Sequence, residues 1–353
     1  MTVAGTCAAE PGTRSTHRPA ARPRTGALLV VLLLLVAVAV SLAVGARTTS
    51  PGTVLAALLD PSGLGPDQQA DAVVIRELRL PRTVIGLLAG AALGIAGVVM
   101  QGITRNPVAD PGLLGVNAGA SLAVVLGLSV AGVSSPVGLA GFALVGALAA
   151  ASLIAVIAVS ARTGTTPALL VVAGAAVTAG LTSLTTLVLL GDPEALDRYR
   201  FWTVGSLTGR SLDTALTLAP LVLVGAVLAL GLARALDALA LGDDVARGLG
   251  FRLVPTRAAA IGAVVLLCGT ATALAGPLVF VGLLAAHGSR ALVGGRHLRL
   301  LPLAAVLGAA LVLLADSLGR VVIPPGELEV GIVVAAIGAP LLIGLVRSRR
   351  AGL

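Results

Sequence analysis

The sequence predicts an all-α, polytopic membrane protein of about ten transmembrane helices. Of its 353 residues, 57% are hydrophobic and only 11% are charged, whereas an ordinary soluble domain carries about 25% charged residues. Four long stretches contain no Asp, Glu, Lys, Arg or His: 83–104, 111–161, 163–191 and 258–286. One helical crossing of a bilayer needs about 20 predominantly apolar residues. These stretches can therefore cross a membrane several times.

Ten apolar runs define the predicted spans. They are 26–46, 83–103, 112–133, 136–160, 167–190, 214–233, 258–276, 278–295, 300–318 and 329–346. The first run exceeds the 7–15 residues of a signal-peptide core, so we expect it to be a retained span. Residues 1–25 are polar and carry four arginines, which predicts a disordered basic tail. Residues 26–350 then form one transmembrane domain.

The distribution of arginine predicts the orientation. All 24 basic residues are Arg. If the N-terminus is inside and the chain crosses ten times, the inner segments hold sixteen arginines and five acidic residues, a net charge of +11. The outer segments hold eight arginines and eleven acidic residues, a net charge of −3. Because cytoplasmic loops carry the excess of basic residues, both termini are expected in the cytoplasm, with the tail 1–25 among the cytoplasmic segments.

The composition also argues against several functions. A P-loop ATPase needs a lysine, and the chain has none. An ion-coupled carrier usually needs ionisable groups inside its spans, yet Asp316 is the only acidic residue in the middle of an apolar run, and it lies near an outer end. The two cysteines and three histidines have no metal-ligand spacing. We therefore expect no catalytic residue, metal or cofactor in this chain. Energy is expected from elsewhere, and any ATP hydrolysis would have to come from another subunit.

A polar turn interrupts the apolar sequence between the second and third runs. Residues 100–120 read MQGITRNPVADPGLLGVNAGA. Pro107 and Pro111 each remove a backbone donor and disfavour helix at the preceding residue. Non-helical backbone at membrane depth is tolerated only where it is buried in protein or lines an aqueous cavity. The residues alone allow two interpretations, a capped surface turn or part of a translocation path.

Five segments resemble the iron–siderophore and vitamin B12 uptake permeases of bacterial ABC importers. In chain order they are LRLPRTVIGLLAGAALGIAGVVMQGITRNPVADPGLLGVNAGA, LALGDDVARGLG, GPLVFVGLLAAHGSR, LLPLAAVLGAALVLLADSLGR and PPGELEVGIVVAAIGAP. The resemblance extends over about residues 76–346 and implies the ten-helix type II ABC importer permease fold. Two positions depart from the usual family pattern, which often has proline where Ala286 and Glu329 stand.

The resemblance also implies partners and cargo. It implies a second permease subunit, identical or paralogous, and a cytoplasmic ATPase dimer that binds ATP and Mg²⁺. An extracytoplasmic binding protein would deliver the substrate to the bacterial inner membrane. The cargo expected first is a ferric siderophore, with cobalamin or haem as the alternative, and a secondary transporter as a more distant one.

Two sets of site residues follow from the resemblance at the predicted cytoplasmic side. The Asn-Pro turn implies a cytoplasmic gate at Asn106 and Val108, opposed by Thr165 and Thr166 of RTGTTP. The loop 234–257, which we call the coupling loop, implies an ATPase-docking helix. The coupling residues are Gly242, Asp243, Asp244, Val245, Arg247 and Leu249.

The coupling loop also has a local pattern that predicts a short helix. Gly242 interrupts the preceding helix, and Asp243 is a candidate N-cap. Val245 and Leu249 would share one face, and Gly250 suits the C-terminal end. A solvated loop is the alternative if only the residues are considered.

Three arginines stand on the predicted outer side, against the general trend. The resemblance implies that Arg79, Arg82 and Arg320 receive acidic residues of the binding protein. A planar guanidinium can hold a carboxylate with two hydrogen bonds. The residues alone allow the alternative that local acids, such as Asp71, Glu77 and Glu327, neutralise a solvated rim.

Overall fold

The computed structural model describes residues 23–45, 48–60, 64–160, 167–323 and 326–350, and throughout these ranges the regular structure is helical. The predicted tail 1–25 lies outside the described residues except for 23–25, which begin the first helix. Thr165 and Thr166 also lie outside them.

Fifteen α-helices are found within these ranges. In chain order they are α1 (Pro23–Ala43), α2 (Pro51–Leu59), α3 (Pro66–Val73), α4 (Leu80–Thr104), α5 (Val116–Ser129), α6 (Pro136–Ser160), α7 (Pro167–Leu190), α8 (Pro193–Thr203), α9 (Leu212–Gly231), α10 (Ala233–Ala240), α11 (Asp243–Gly248), α12 (Leu253–Ala275), α13 (Val281–Val293), α14 (His297–Val322) and α15 (Val330–Arg350). A π-helical turn, Val74–Arg79, joins α3 to α4, and a 3₁₀ turn, Pro111–Leu114, precedes α5.

Each of the ten predicted apolar runs contains one apolar helix, so the predicted helical architecture is confirmed. Among the described residues, seven helical segments are long and apolar enough to cross a membrane, and three shorter apolar helices correspond to α5, α13 and α15. The helices α6 and α7 begin and end where the runs 136–160 and 167–190 predict. The predicted start of the third span at 112 is wrong. The left-handed Gly115, with φ +66°, separates the 3₁₀ turn from α5.

Helix α4 lies at the centre of the bundle and packs against α9, α12, α13 and α14. The sequence predicts a packing face from Gly86, Gly90 and Gly94, and the structure confirms it. A Cβ atom added to Gly90 would overlap the backbone of Gly308, and one added to Gly94 would overlap the backbone of Ala304, both in α14. Small residues let helix backbones approach closely in lipid. The glycines therefore fix how near α14 can come.

Two non-helical segments meet inside the bundle. The Asp110 carboxylate accepts hydrogen bonds from the N–H of Gly112, at 2.8 Å, and from the N–H of Phe280. Phe280 has φ +66° and directly precedes α13. The chain after α4 therefore does not stay at the surface. It re-enters the bundle, and Asp110 contacts the residue before α13.

The depth of this return can be estimated from α12. The Thr272 hydroxyl lies 3.0 Å from the Asn117 side-chain oxygen of α5. Thr272 is nineteen residues beyond the first residue of α12, Leu253, or roughly 28 Å at the α-helical rise of 1.5 Å per residue. Helix α5 therefore begins deep in the bundle, which explains why it has only 14 residues. The buried non-helical backbone before it agrees with the requirement that such backbone be enclosed by protein.

Candidate functional site

The three predicted docking arginines lie at one end of the bundle, which we call the arginine end. Its centre is Asp316 of α14, which is fully buried. The Asp316 carboxylate accepts hydrogen bonds from Arg82 Nε at 2.9 and 3.0 Å and from Arg320 Nε at 3.1 Å. Arg82 Nη1 also lies 2.7 Å from a carboxylate oxygen of Glu327. Two cations and two anions thus form one network, and both arginines are at most 8% exposed.

Arg79 and Arg320 also connect the end of α1 to the bundle. Arg79 Nη1 donates to the carbonyl oxygens of Leu42 and Ala43, at 2.8 and 2.9 Å, and to the Thr49 hydroxyl at 2.9 Å. Arg320 Nη1 donates to the carbonyl oxygens of Ser41 and Val44, at 2.8 and 3.0 Å. Carbonyl oxygens near the C-terminus of a helix have no partner within the helix. The arginines supply that partner, so their first role is structural.

Each predicted docking arginine therefore already has a partner within the chain. For Arg82, the ion pair with Glu327 agrees with neutralisation by local acids, but the burial of Arg82 does not fit the solvated rim of that alternative. Docking of a binding protein through these arginines stays a prediction. It now requires that an incoming carboxylate replaces an internal partner rather than meeting a free guanidinium.

A cavity of about 580 Å³ opens at the arginine end. Its charged lining is Glu77, Arg79, Arg82, Arg210, Arg320 and Glu327. Arg210 is half-buried, and this burial lowers the pKa of its guanidinium. The lining thus combines four cations with two anions, and two of those cations, Arg82 and Arg320, also bond the buried Asp316.

The coupling loop lies at the other end of α4, where Arg105 forms an ion pair with Asp243. We call this end of the bundle the coupling-loop end. Helix α11 is a single short turn of six residues, Asp243–Gly248. The prediction that Asp243 is its N-cap is wrong, because Gly242, with φ +120°, occupies that position. The predicted C-terminal role of Gly250 is confirmed by its φ of +87°. Phe251 N–H donates to the Ala246 carbonyl at 3.0 Å, which closes the helix end.

Helix α11 turns an apolar side to solvent. Val245 is 46% exposed and Leu249, directly after the helix, is 61% exposed, whereas Ala246 is fully buried. Arg247 and Asp244 form an exposed ion pair at 2.8 Å. Val245 and Leu249 thus leave about half or more of their apolar surface uncovered within the described chain. This is the pattern expected of a surface that another protein covers.

Asp243 uses its carboxylate to join three elements. It forms an ion pair with Arg105, the residue that ends α4, and accepts hydrogen bonds from Arg257 Nη2 to both of its oxygens at 3.0 Å. Burial alone would raise the pKa of Asp243, but Arg257 and Arg105 outweigh it and hold that pKa below its ordinary value. The carboxylate is therefore ionised at neutral pH.

The predicted gate residues form a closed turn beside this cluster. Asn106 is exposed, and its side-chain oxygen accepts a hydrogen bond from Val108 N–H at 3.1 Å. The Asn106 carbonyl accepts another from Ala109 N–H at 3.1 Å. Asn106 and Val108 thus belong to one local unit, as their spacing suggests. The structure does not describe Thr165 and Thr166, so their position opposite this turn stays a prediction.

The sequence interpretation missed two sets of partners at the coupling-loop end. Arg105 and Arg257 were counted only as inner positive charges, although both bind Asp243. A second pair joins the coupling loop to α14: His297 Nδ1 lies 2.6 Å from Asp237 Oδ1, and His297 N–H donates to the same oxygen at 2.9 Å. The sequence signal for these contacts is the presence of Asp237 and Asp243 among the arginines of the coupling loop. An acidic residue in such surroundings is expected to find a basic partner.

Known proteins resemble this chain over nearly its whole length. The ferric enterobactin transport system permease protein FepD of Escherichia coli (strain K12) is 46% identical over 324 residues, covering 92% of this chain and 95% of that protein. The probable siderophore transport system permease protein YfiZ of Bacillus subtilis (strain 168) is 36% identical, covering 90% and 94%. The Fe(3+) dicitrate transport system permease protein FecD of Escherichia coli (strain K12) is 40% identical, covering 78% and 86%.

A solved structure has the same fold. It is described as a metal-chelate type ABC transporter in an inward-facing conformation, and it superposes with a TM-score of 0.78 at 27% identity. The match covers 92% of this chain and 99% of that one. Residues 33–348 match the FecCD transport family. With this match, the close relatives and the helical bundle described above, the chain belongs to the FecCD transport family of membrane permeases.

Proposed function

We propose that the chain is the permease subunit of an ABC importer that moves a ferric siderophore across the bacterial inner membrane. The observation that carries this proposal is the 46% identity to a ferric enterobactin permease over 92% of the chain. Other relatives carry names that refer to ferric citrate and ferric hydroxamate. Iron(III) chelates are therefore the cargo class common to these names, ahead of cobalamin or haem.

The proposed energy source is a separate ATPase dimer. The chain has no lysine for a P-loop, and the exposed apolar side of α11 offers a docking surface. Val245 and Leu249 would enter a cleft of the ATPase, while Gly242, Asp243, Asp244 and Arg247 set the shape and charge of that surface. On this proposal both termini and the coupling-loop end would lie in the cytoplasm, in agreement with the arginine count.

The proposed pore lies between two permease subunits, with an external binding protein above the arginine end. The described residues of one chain form a packed bundle in which α4 is central and fully surrounded, so a wide path through a single subunit is not expected. The cavity with four arginines faces the side where the binding protein would dock.

The function can be tested in proteoliposomes that contain the permease, its ATPase and the binding protein. We expect ATP-dependent uptake of radioactive iron supplied as a ferric tris-catecholate, and little uptake of cobalamin or haem. Uptake of only cobalamin or haem would favour the alternative cargo. Uptake that follows an ion gradient without the ATPase would overturn the proposal in favour of secondary transport.

The proposed gate can be tested by leakage. Asn106 and Val108 would close the path with short side chains that do not hold an ion. We expect the double substitution Asn106→Gly and Val108→Gly to raise passive leak of the chelate several-fold without ATP, because side-chain size closes the turn. The control is Gly248→Ala, a position where an added Cβ meets nothing within 4 Å. Equal leak in both variants would mean that the turn is only structural.

A further inference from the structure

Arg105 connects the proposed gate turn to the proposed docking helix. It is the last residue before Asn106 and has φ +52° and ψ 26°, in the left-handed region. A residue other than glycine in this region costs roughly 1–2 kcal/mol. Its side chain offsets that cost, because Arg105 Nε donates to the Leu239 carbonyl at 2.7 Å and its guanidinium binds Asp243.

The carboxylate of Asp243 is shared between α4 and α12, two helices that also pack against each other. One partner, Arg105, ends α4. The other, Arg257, lies in α12 and reaches both carboxylate oxygens. The Asp243 side chain is 30% exposed and that of Arg257 is 18% exposed. The first residue of α11 is thus held between the ends of α4 and α12.

The geometry of α11 directs this carboxylate away from its own helix. Gly242 is the N-cap at φ +120°, and no side chain caps the helix. Asp243 is therefore the first residue inside the helix and not its cap. Its carboxylate bonds two arginines from other elements, so a displacement of α11 moves the charge that anchors Arg105.

The turn after Arg105 would follow such a movement as a unit. Its two internal hydrogen bonds, from Val108 N–H and Ala109 N–H to Asn106, hold residues 106–109 together. Only one peptide link separates this unit from the anchored Arg105. The path from the docking surface to the gate turn therefore consists of one ion pair, the residue Arg105 and one peptide bond.

We propose that Asp243 is a positioning residue, which transmits displacement of the docking helix to the gate turn through Arg105 while Arg257 holds it in place. This inference rests on the proposed function and specifies how its two cytoplasmic sites communicate. An exposed ion pair contributes only about 0–1 kcal/mol to stability, so the role of this pair lies in geometry rather than in folding.

The test uses the full complex of permease, ATPase and binding protein in proteoliposomes. We expect Arg105→Gln, which lies outside the docking surface, to leave assembly with the ATPase intact and ATP hydrolysis within about two-fold, while transport per ATP falls at least five-fold. Asp243→Asn should lower transport per ATP to a similar extent. The double variant should be no worse than either single one, because both remove the same link. Asp243→Glu should restore much of the transport. The matched control is Asp197→Asn, which breaks an exposed ion pair with Arg200 far from the coupling loop.

A second readout follows the gate directly. A thiol introduced by Asn106→Cys should react with a membrane-impermeant reagent at a rate that changes when ATP binds. We expect Asp243→Asn to abolish that change without altering the rate in the absence of ATP. Unchanged transport per ATP, or a full ATP-dependent change in labelling, would overturn the inference. If the wild-type complex itself transports no chelate, the proposed function fails instead, and the two failures are thereby distinguished.

Discussion

The two ends of the bundle use the same pair of residue types, arginine and aspartate, in opposite surroundings. At the arginine end, Asp316 is fully buried and Arg82 and Arg320 are nearly so. At the coupling-loop end, the Arg105 side chain is 38% exposed and that of Asp243 is 30% exposed. Water screens the second cluster more than it screens Asp316 and its two arginines. A similar set of ion pairs should therefore contribute more to stability at the arginine end than at the coupling-loop end.

Backbone contacts add to this contrast. At the arginine end, Arg79 and Arg320 donate hydrogen bonds to carbonyl oxygens at the end of α1, whereas exposed apolar side chains occur at both ends, with Val245 at 46% and Leu78 at 64%. Substitutions that remove one group at a time should separate stability from function, and their expected effects on stability range from several kcal/mol to almost none.

The largest loss should follow Asp316→Asn. The change leaves Arg82 and Arg320 buried beside a neutral amide, and breaking a buried pair by removing one partner typically costs about 3–5 kcal/mol. The measurement is thermal unfolding of the purified protein in detergent. Asp197→Asn, in an exposed pair, is the control and should change stability little. A loss below about 1 kcal/mol would show that the network at the arginine end is not structural.

A smaller loss, of about 1 kcal/mol or less, should follow Glu327→Gln. The Glu327 side chain is 35% exposed, and Arg82 keeps Asp316 as its second partner. The predicted docking through Arg82 adds a kinetic effect, since removing the internal competitor should speed association of the binding protein by a few-fold at low salt. Association rates at several ionic strengths give the measurement. Slower association, or an equal rate and salt dependence, would contradict docking through Arg82.

A still smaller effect should appear in the pH dependence of the coupling-loop end. The Asp243 pKa lies below its ordinary value of 3.8 in the folded protein. A lowered carboxyl pKa contributes stability that is present above the unfolded value and is lost as pH falls through the folded value. The difference in unfolding midpoint between wild type and Asp243→Asn should therefore stay constant from neutral pH to about pH 5 and shrink in more acid solution. If the difference in unfolding midpoint grows as the pH falls, the Asp243 pKa is not lowered in the folded protein.

The smallest effect on stability, within about 0.5 kcal/mol, should come from Val245→Asp. The side chain is already half exposed, so an added charge costs the folded chain little. Chelate uptake should nevertheless be lost, because the charge would enter an apolar cleft of the ATPase. Val245→Leu keeps the apolar surface and serves as the control. Normal uptake by Val245→Asp would remove α11 as the docking helix.

The sequence predicted the spans well because the bilayer acts on each run of residues separately. A stretch such as 136–160 is apolar along its whole length, and no distant partner is needed to place it. The start of α5 was missed because it depends on a meeting with another part of the chain. Asp110 bonds the N–H of Phe280, and no local pattern announces that contact.

The candidate site was predictable in its location and less so in its contacts. The segment LALGDDVARGLG indicated the docking helix, and Gly250 indicated its end. The partners of the arginines were not predictable, because Arg82 and Asp316 are 234 positions apart and Arg105 and Asp243 are 138 apart. Charge counting places such residues on a side of the membrane, but only the packing of α4 against its neighbours brings them into contact.

The central position of α4 has a consequence for how the protein is made. The ribosome releases α4 long before α14, whose first residue is His297. Until then, the groove at Gly90 and Gly94 has no neighbour, and Arg82 has no Asp316 to neutralise it. A chain that stops short of residue 316 therefore enters the lipid with the charge of Arg82 uncompensated and the glycine face of α4 uncovered. The contact between α4 and α14 therefore completes the bundle only when synthesis is nearly finished.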